Sequence, residues 1–209
     1  MAAEKARLRG VFRQRRAALG PEARAAQSVR ICAHLGAWLR EHGAETAGPL
    51  AVSAFWPLAE EPDLRPLLRA LHDGGVRVAL PVVASAPDEA PRLEHRAFAG
   101  EAALVPSRFG VMEPLAGHPL PPEAIGVALV PALAVDASGV RLGYGGGFYD
   151  AFLATTAARR VGVVFASGAA RGLPAEPHDA RLEAICTPDG LRAAAARGPG
   201  RRNRSPGPA

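Results

Sequence analysis

One stretch limits what this chain can fold into more than any other: an apolar run that passes through a glycine-rich loop into a helical segment. Val127-Ala128-Leu129-Val130-Pro131-Ala132-Leu133-Ala134 is apolar without a break, as a strand buried on both sheet faces must be. Asp136 follows, then Arg141-Leu142-Gly143-Tyr144-Gly145-Gly146-Gly147-Phe148-Tyr149-Asp150, and Phe148 to Ala158 reads as helix. Glycines let successive backbone N–H groups turn toward an anion, and a helix start adds partial positive charge. Strand, loop and helix together therefore imply a phosphate-binding design. It is neither of the two commonest ones, because no Gly-Lys-Ser/Thr follows and the glycines alternate differently from the dinucleotide fingerprint. Glycine turns between strand and helix also occur without a ligand. What raises this one is its company of Arg141, Asp136 and Asp150.

Around this centre, helical and extended segments alternate. Glu4–Leu19 and Glu22–Glu41 have helical periodicity and are separated by Gly20-Pro21, with Pro21 suited to a first helical turn. Strands are expected at Leu50–Phe55, Val76–Val83, Leu93–Phe98, Val161–Ala166 and Leu182–Thr187, with a helix at Leu64–Asp73 stopped by Gly74-Gly75. Phe109–Pro114 and Gly117–Pro122 read as a long connection bordering a site, and Gly168–Asp179 as a loop. This order predicts an α/β fold, three-layer αβα with a mostly parallel central sheet. Ligands of such sheets lie beyond the C-terminal ends of the strands, where the glycine loop, Asp136 and Glu61 would all sit. At 209 residues the chain suits one domain, expected over 1–192. From 193 to 209 the Ala/Arg/Gly/Pro composition cannot bury enough surface to order itself and predicts a disordered basic tail.

The net charge of +5 is unevenly spread. Residues 1–30 hold eight Lys/Arg against Glu4 and Glu22, and the tail adds Arg197, Arg201, Arg202 and Arg204 with no acid. The body between is mildly acidic. Such a layout suits an anionic small ligand met by one helix, or weak nucleic-acid contact. Lys5, Arg9, Arg13 and Arg16 share one face of the first helix, which as a generic pattern is a solvated basic stripe. No apolar run approaches the roughly 18 residues of a membrane span. Cys32 and Cys186 suit free thiols, so the expected location is cytoplasmic.

Several groups could converge at the strand ends. Donors are the loop amides, Arg141, Lys5 and Arg9; oxygen ligands are Asp136, Asp150 and Asp179; aromatic surfaces are Phe55, Trp56, Tyr144 and Tyr149. Acids beside phosphate donors suit a magnesium nucleotide better than zinc, and His178-Asp179 has no further His or Cys at ligand spacing. Neither cysteine has the surroundings of a nucleophile, and Ser138 and Ser167 lack a paired base. Glu60, Glu61 and Asp63 precede a helix and read first as capping residues. Asp136 reads equally well as the cap of its turn. The set fits phosphoryl transfer, which needs positioning and charge stabilisation.

Val130-Pro131 through Asp136, Gly139, and Arg141 through Asp150 closely resemble the signature of the 5-formyltetrahydrofolate cyclo-ligase (5,10-methenyltetrahydrofolate synthetase) family. Lys5-Ala6-Arg7-Leu8-Arg9 looks like its nucleotide-binding box, and Phe55 through Glu61-Pro62-Asp63 like its folate-contacting strand and turn. Phe109 through Pro114 and Pro174 through His178-Asp179 also match, so the likeness spans most of the chain. It implies ATP- and Mg2+-dependent closure of 5-formyltetrahydrofolate to 5,10-methenyltetrahydrofolate, with ADP and phosphate released and the formyl oxygen phosphorylated on the way. By position, it implies that ATP meets Lys5, Arg9, Arg141, Gly143, Tyr144, Gly145, Gly146, Gly147, Phe148 and Tyr149. Folate would meet Phe55, Trp56, Glu61 and Tyr149, and Mg2+ would be bound by Asp150 and Asp179. Arg141, Tyr149 and Asp150 would carry the chemistry. The expected partner is a reduced folate met by a monomer, with no membrane or nucleic-acid partner.

Three positions depart from the family pattern. Gly168 stands where a glutamine is usual, which removes a polar contact, while Ala132 and Val135 replace a glycine and a phenylalanine and read as packing changes. Two other readings stay open on the sequence. One is a non-catalytic cyclo-ligase-like protein that binds RNA or another ligand. The other is an ATP-dependent enzyme acting on a different N-acyl substrate.

Overall fold

The computed structural model describes residues 1–42, 51–86, 88–107 and 110–195. Two helices open the chain, α1 (Ala2–Ala17) and α2 (Pro21–His42). Strand β1 (Ala51–Ser53), helix α3 (Arg65–Asp73), and strands β2 (Val78–Val83) and β3 (Leu93–Ala97) follow. Short strands β4 (Leu104–Pro106), β5 (Met112–Pro114) and β6 (Pro119–Leu120) lead to β7 (Ile125–Pro131), β8 (Ala134–Asp136) and β9 (Arg141–Leu142). Helix α4 (Phe148–Leu153), then β10 (Arg159–Val163), β11 (Ala169–Ala170), β12 (Ala184–Thr187) and β13 (Gly190–Ala193) complete the chain.

The large sheet runs β13-β12-β10-β7-β1-β2-β3-β6. Its centre, β12-β10-β7-β1-β2, is parallel, and the outer pairings β12–β13, β2–β3 and β3–β6 are antiparallel. From β1 the chain moves outward one way to β2, and from β7 the other way to β10. The strand order thus reverses between β1 and β7, where an open α/β sheet offers a crevice for a ligand. One sheet face packs against α2 and α3 through Ile31, Leu35, Leu64, Leu68, Val127 and Leu129. The other carries Ala128, Val130, Phe152, Leu153 and Ile185. Alternate residues of β7 thus feed opposite cores. A register shift against β1, where Ala51 faces Ile125 and Val52 faces Val127, accommodates one extra residue and puts Ile125 in the same core as Ala128. The three layers and the mostly parallel sheet are as the alternation of segments predicts.

Local boundaries differ from the sequence expectation for identifiable reasons. The apolar run 127–134 is not one strand. Pro131 has no N–H with which to continue the ladder, and the Ala132 carbonyl is taken by the Arg16 guanidinium at 2.5 Å. The chain then turns into a second, three-stranded sheet, β11-β8-β9. Helix α4 ends at Leu153 rather than Ala158. There the Thr155 hydroxyl donates to Phe152 O at 2.7 Å and Thr156 donates to Pro122 O at 2.8 Å, which diverts the chain toward β10. The connection expected between 109 and 122 contains β5 and β6, β5 forming a hairpin with β4; Phe109 lies outside the described residues. So do Leu50 and the tail from 196 onward. Strand β13 was not anticipated; Gly190, at φ 142°, starts it.

Among the described residues no helix is long and apolar enough to cross a membrane. Cys32 is half-buried and Cys186 buried, both as free thiols. Burial pushes the Cys32 pKa to about 11 and that of Cys186 to about 12, so neither offers a reactive thiolate near neutral pH.

Candidate active site

A cavity of about 660 Å³ opens at the strand-order reversal. Phe55 and Trp56 line it after β1, Pro81 and Val83 from β2, and Pro131 from the end of β7. Helix α1, the loop 143–147 and the segment 176–179 form the rest of its wall. Every residue that the family resemblance assigns to the site lines this one cavity: Lys5, Arg9, Phe55, Trp56, Glu61, Arg141, Gly143, Tyr144, Gly145, Gly146, Gly147, Phe148, Tyr149, Asp150 and Asp179. Asp136 does not. Its carboxylate accepts from Ser138 N and Oγ, Val140 N and Leu173 N at 2.8–3.1 Å, so it caps the β8–β9 turn.

Helix α1 delivers the cations. Phe12 and Leu8 pack on Leu133, Ala134 and Leu142 of the small sheet, and this docking turns the opposite flank of the basic stripe inward. Lys5 and Arg16 are buried, Arg9 is half-buried, and only Arg13 remains in solvent. The stripe is therefore not a solvated one. Lys5 Nζ donates to Glu176 at 2.7 Å and to both Asp179 oxygens at 2.7 and 2.9 Å. Burial alone would lower the Lys5 pKa, but these two carboxylates outweigh it and hold the pKa above its usual value. Burial would likewise raise the Asp179 pKa, yet Glu176 N and Lys5 hold it down.

Arg9 Nε donates to Gly143 O at 3.0 Å. Its guanidinium lies over Gly145, where a Cβ would come within 3.2 Å of Cζ, and Gly145 has φ +106°. A glycine is needed there on both counts. Gly147, at φ +71°, leads into α4. With only six residues, α4 contributes less dipole than the expected eleven-residue helix would. The loop amides carry the anion-binding case instead: among the described residues the N–H groups of 143–147 donate no hydrogen bond. Arg141, its side chain buried, pairs with Asp150 at 2.5 Å, and Ala180 N also donates to Asp150 at 3.3 Å.

Part of the cavity lining is aromatic and apolar. Phe55 is buried and Trp56 is half-buried, packed at 6.1 Å from Phe98. Pro81, Val83, Leu93 and Val111 continue that wall. Glu61 lines the same cavity and is buried; it does not cap α3, whose first residue, Arg65, donates its N–H to Asp63 at 3.0 Å. Glu61 accepts from Leu58 N at 2.9 Å and from the Tyr144 hydroxyl. Its burial raises its pKa, while Tyr144, Leu58 N and Arg16 oppose the rise. Burial also drives the Tyr149 phenol well above its usual pKa, with help from the Glu61 charge, so it stays protonated.

Gly168, the departure flagged in the sequence, does not line the cavity. A Cβ there would lie 2.9 Å from Leu133 O and 3.0 Å from Val164 Cβ, so close packing of backbone rather than ligand contact selects glycine. Ala132 and Val135 are buried and read as packing, as expected. Sequence reasoning missed Glu176, Arg16 and Glu113. Glu176, His178 and Asp179 each present a ligand atom within 4.8 Å of the others, a grouping that Pro177 separates by only a few positions in the chain. Glu113, on the cavity wall, accepts from Val83 N at 3.3 Å and could have been sought in the Phe109–Pro114 block.

Fold and site together define an α/β protein with one cavity at the edge of its parallel sheet, lined by a glycine loop with cationic side chains, by aromatic rings and by a buried acid. The sequence profile described as the 5-formyltetrahydrofolate cyclo-ligase family matches residues 1–188, and the chain belongs to that family. The 5-formyltetrahydrofolate cyclo-ligase of Mycolicibacterium smegmatis is 41% identical over 142 residues, 66% of this chain and 73% of that protein. The protein of the same name from Escherichia coli K12 is 32% identical over 183 residues, 85% of this chain and 97% of that one. Among solved structures, Aquifex aeolicus 5,10-methenyltetrahydrofolate synthetase matches with TM-score 0.79 at 25% identity, covering 96% of this chain and 98% of that one. The Mycoplasma pneumoniae 5,10-methenyltetrahydrofolate synthetase, at TM-score 0.67 and 21% identity over 88% of this chain and 98% of its own, shares the fold.

Proposed function

We propose that this protein is an ATP- and Mg2+-dependent ligase that closes 5-formyltetrahydrofolate to 5,10-methenyltetrahydrofolate and releases ADP and phosphate. Family membership and the names of the relatives support the reaction. The observation that carries it to this chain is that one cavity is lined by the cationic, glycine-rich loop region, by aromatic rings and by a buried carboxylate. An N-formyl oxygen is a poor leaving group; phosphoryl transfer from ATP makes it a good one, N10 closes on the same carbon, and phosphate departs.

The residues divide the work by position. Lys5, Arg9 and the amides of 143–147 hold the triphosphate. Phe148 and Tyr144 bound the same loop. Arg141, already fixed by Asp150, offsets negative charge that grows on the transferring phosphoryl group. Glu61 accepts from the pterin N–H groups, and Phe55, Trp56 and Tyr149 sandwich the ring and exclude water from the reacting carbon. The oxygen donors of Asp179 and Asp150 suit a hard cation, and the Lys5 ammonium seated against three carboxylate oxygens shows that this corner already converges on positive charge. Asp150 and Asp179 would hold Mg2+, which when bound neutralises phosphate oxygens. For phosphate to be reached, Lys5 exchanges its carboxylate partners for the incoming triphosphate.

Separate titrations of ATP and of 5-formyltetrahydrofolate into wild type and Glu61→Gln test the division. The folate constant is expected to weaken by about tenfold or more and the ATP constant to change less than about twofold. Equal loss for both ligands would contradict it.

A further inference from the structure

Arg16 sits in the last turn of α1 and is buried, although it does not itself line the cavity. Its guanidinium donates to Ala132 O at 2.5 Å and to the Tyr144 hydroxyl at 2.6 Å. Arginine has five N–H donors and no acceptor, so at this contact the phenol oxygen can only accept. The single phenol proton is then committed to the next partner, the Oε1 of Glu61. Glu61 Oε2 accepts from Leu58 N at 2.9 Å. Both carboxylate oxygens are therefore addressed by donors, an arrangement that a protonated acid does not match. The direction of the whole chain is set at its Arg16 end.

We propose that Arg16 and Tyr144 are positioning residues that keep Glu61 ionised and aimed at the substrate, through a hydrogen-bond chain polarised from α1. This rests on the reading of Glu61 as the folate acceptor. Without the chain, Glu61 is a carboxylate in an apolar wall, and such a group takes up a proton near neutral pH. The neutral acid exchanges one acceptor for a donor and opposes the ring N–H groups it is meant to receive. Burial and the neighbouring Glu61 charge keep the Tyr144 phenol protonated, hence a donor, across the working pH range. The groups facing Glu61 are Arg16 from α1, Tyr144 from the glycine loop and Tyr149 from α4; Lys5, Arg9, Arg141, Glu113, Asp150, Glu176, His178 and Asp179 share the cavity. Arg16 also ties the loop to the point where β7 gives way to β8, so the turn that ends the apolar strand and the acid that reads the substrate are held by one side chain.

The test is Tyr144→Phe, which keeps the ring and removes only the hydroxyl, followed by Arg16→Lys and Arg16→Met. Two quantities are read in each full-length variant. One is the Glu61 ionisation itself, from carboxylate infrared bands assigned by difference against Glu61→Gln, without any ligand. The other is the dissociation constant for 5-formyltetrahydrofolate across roughly pH 6 to 9. In Tyr144→Phe the Glu61 pKa is expected to rise by about one unit or more, and folate binding near neutrality to weaken by about tenfold, recovering as pH is raised. A merely structural role would weaken binding equally at every pH. Arg16→Lys should fall between wild type and Arg16→Met. An unchanged Glu61 pKa in Tyr144→Phe overturns the proposal. A raised pKa with unaltered folate binding leaves the hydrogen-bond chain standing and overturns the assignment of Glu61 to folate instead.

Discussion

His95 is buried on β3 with its ring 4.0 Å from that of Phe152, and its Nε2 has no partner among the described residues. Burial holds its pKa at about 4 against an ordinary 6.5. Below pH 6.5 the unfolded chain takes up a proton that the folded chain refuses until about pH 4. Stability is therefore full above 6.5 and falls as pH drops through that window, by about 3 kcal/mol at most. Urea unfolding at pH values near 7 and 4.5 should show this loss in wild type and a correspondingly smaller one in His95→Leu. An equal loss in both would place the acid sensitivity elsewhere. At Asp150 the expected consequence is catalytic. Asp150→Asn keeps the shape and the bond from Ala180 N but removes the charge that faces Arg141 and that the proposed metal role requires. Turnover should fall by about 10²-fold or more, with a melting temperature within a few degrees of wild type. Near-normal turnover would refute its metal role.

At the scale of elements, helix α1 and the glycine loop function as one unit. Arg9 lies so close over Gly145 that a Cβ there would press on its guanidinium at 3.2 Å, and the φ of +106° is itself costly for any other residue. Gly145→Ala is expected to displace Arg9, raising the KM for ATP by about tenfold while the KM for folate changes little. A parallel rise in both would mean that the loop does not divide the two ligands. Element identities were legible from periodicity, but several ends were not. Thr155 and Thr156 terminate α4 through bonds to Phe152 O and Pro122 O, the second of them 34 positions away. The end of β7 depends on Pro131, visible in the sequence, and on Arg16 reaching Ala132 O, which is not. Strands β4, β5, β6, β9 and β11, of two or three residues each, were not anticipated and are too short to carry a period.

At the scale of the molecule, the three-layer architecture and a cavity beyond the C-terminal ends of the strands were legible because both follow from the order of segments; the strand order, which places that cavity at its reversal, was not. Many of the residues that line the cavity were legible because they sit in one stretch with a family signature. Pairings between distant segments were hidden. Lys5 meets Glu176 across 171 positions and Arg16 meets Tyr144 across 128, and no local pattern announces either. For the same reason the basic stripe of α1 looked like a solvated face until the fold turned it inward. Asp136 and Gly168 show the opposite: a suggestive residue type, in a suggestive place, explained entirely by the backbone it serves.

The central claim is that ATP and an N5-formyl folate occupy the two ends of one cavity and react there. Its most direct test is a turnover assay with purified protein, MgATP and 5-formyltetrahydrofolate, following methenyltetrahydrofolate by absorbance and ADP by a coupled assay in the same sample. The account predicts that both products accumulate together in equal amounts and that neither forms when either substrate is withheld. ADP released at the same rate without folate, or no methenyltetrahydrofolate from saturated enzyme, would contradict it.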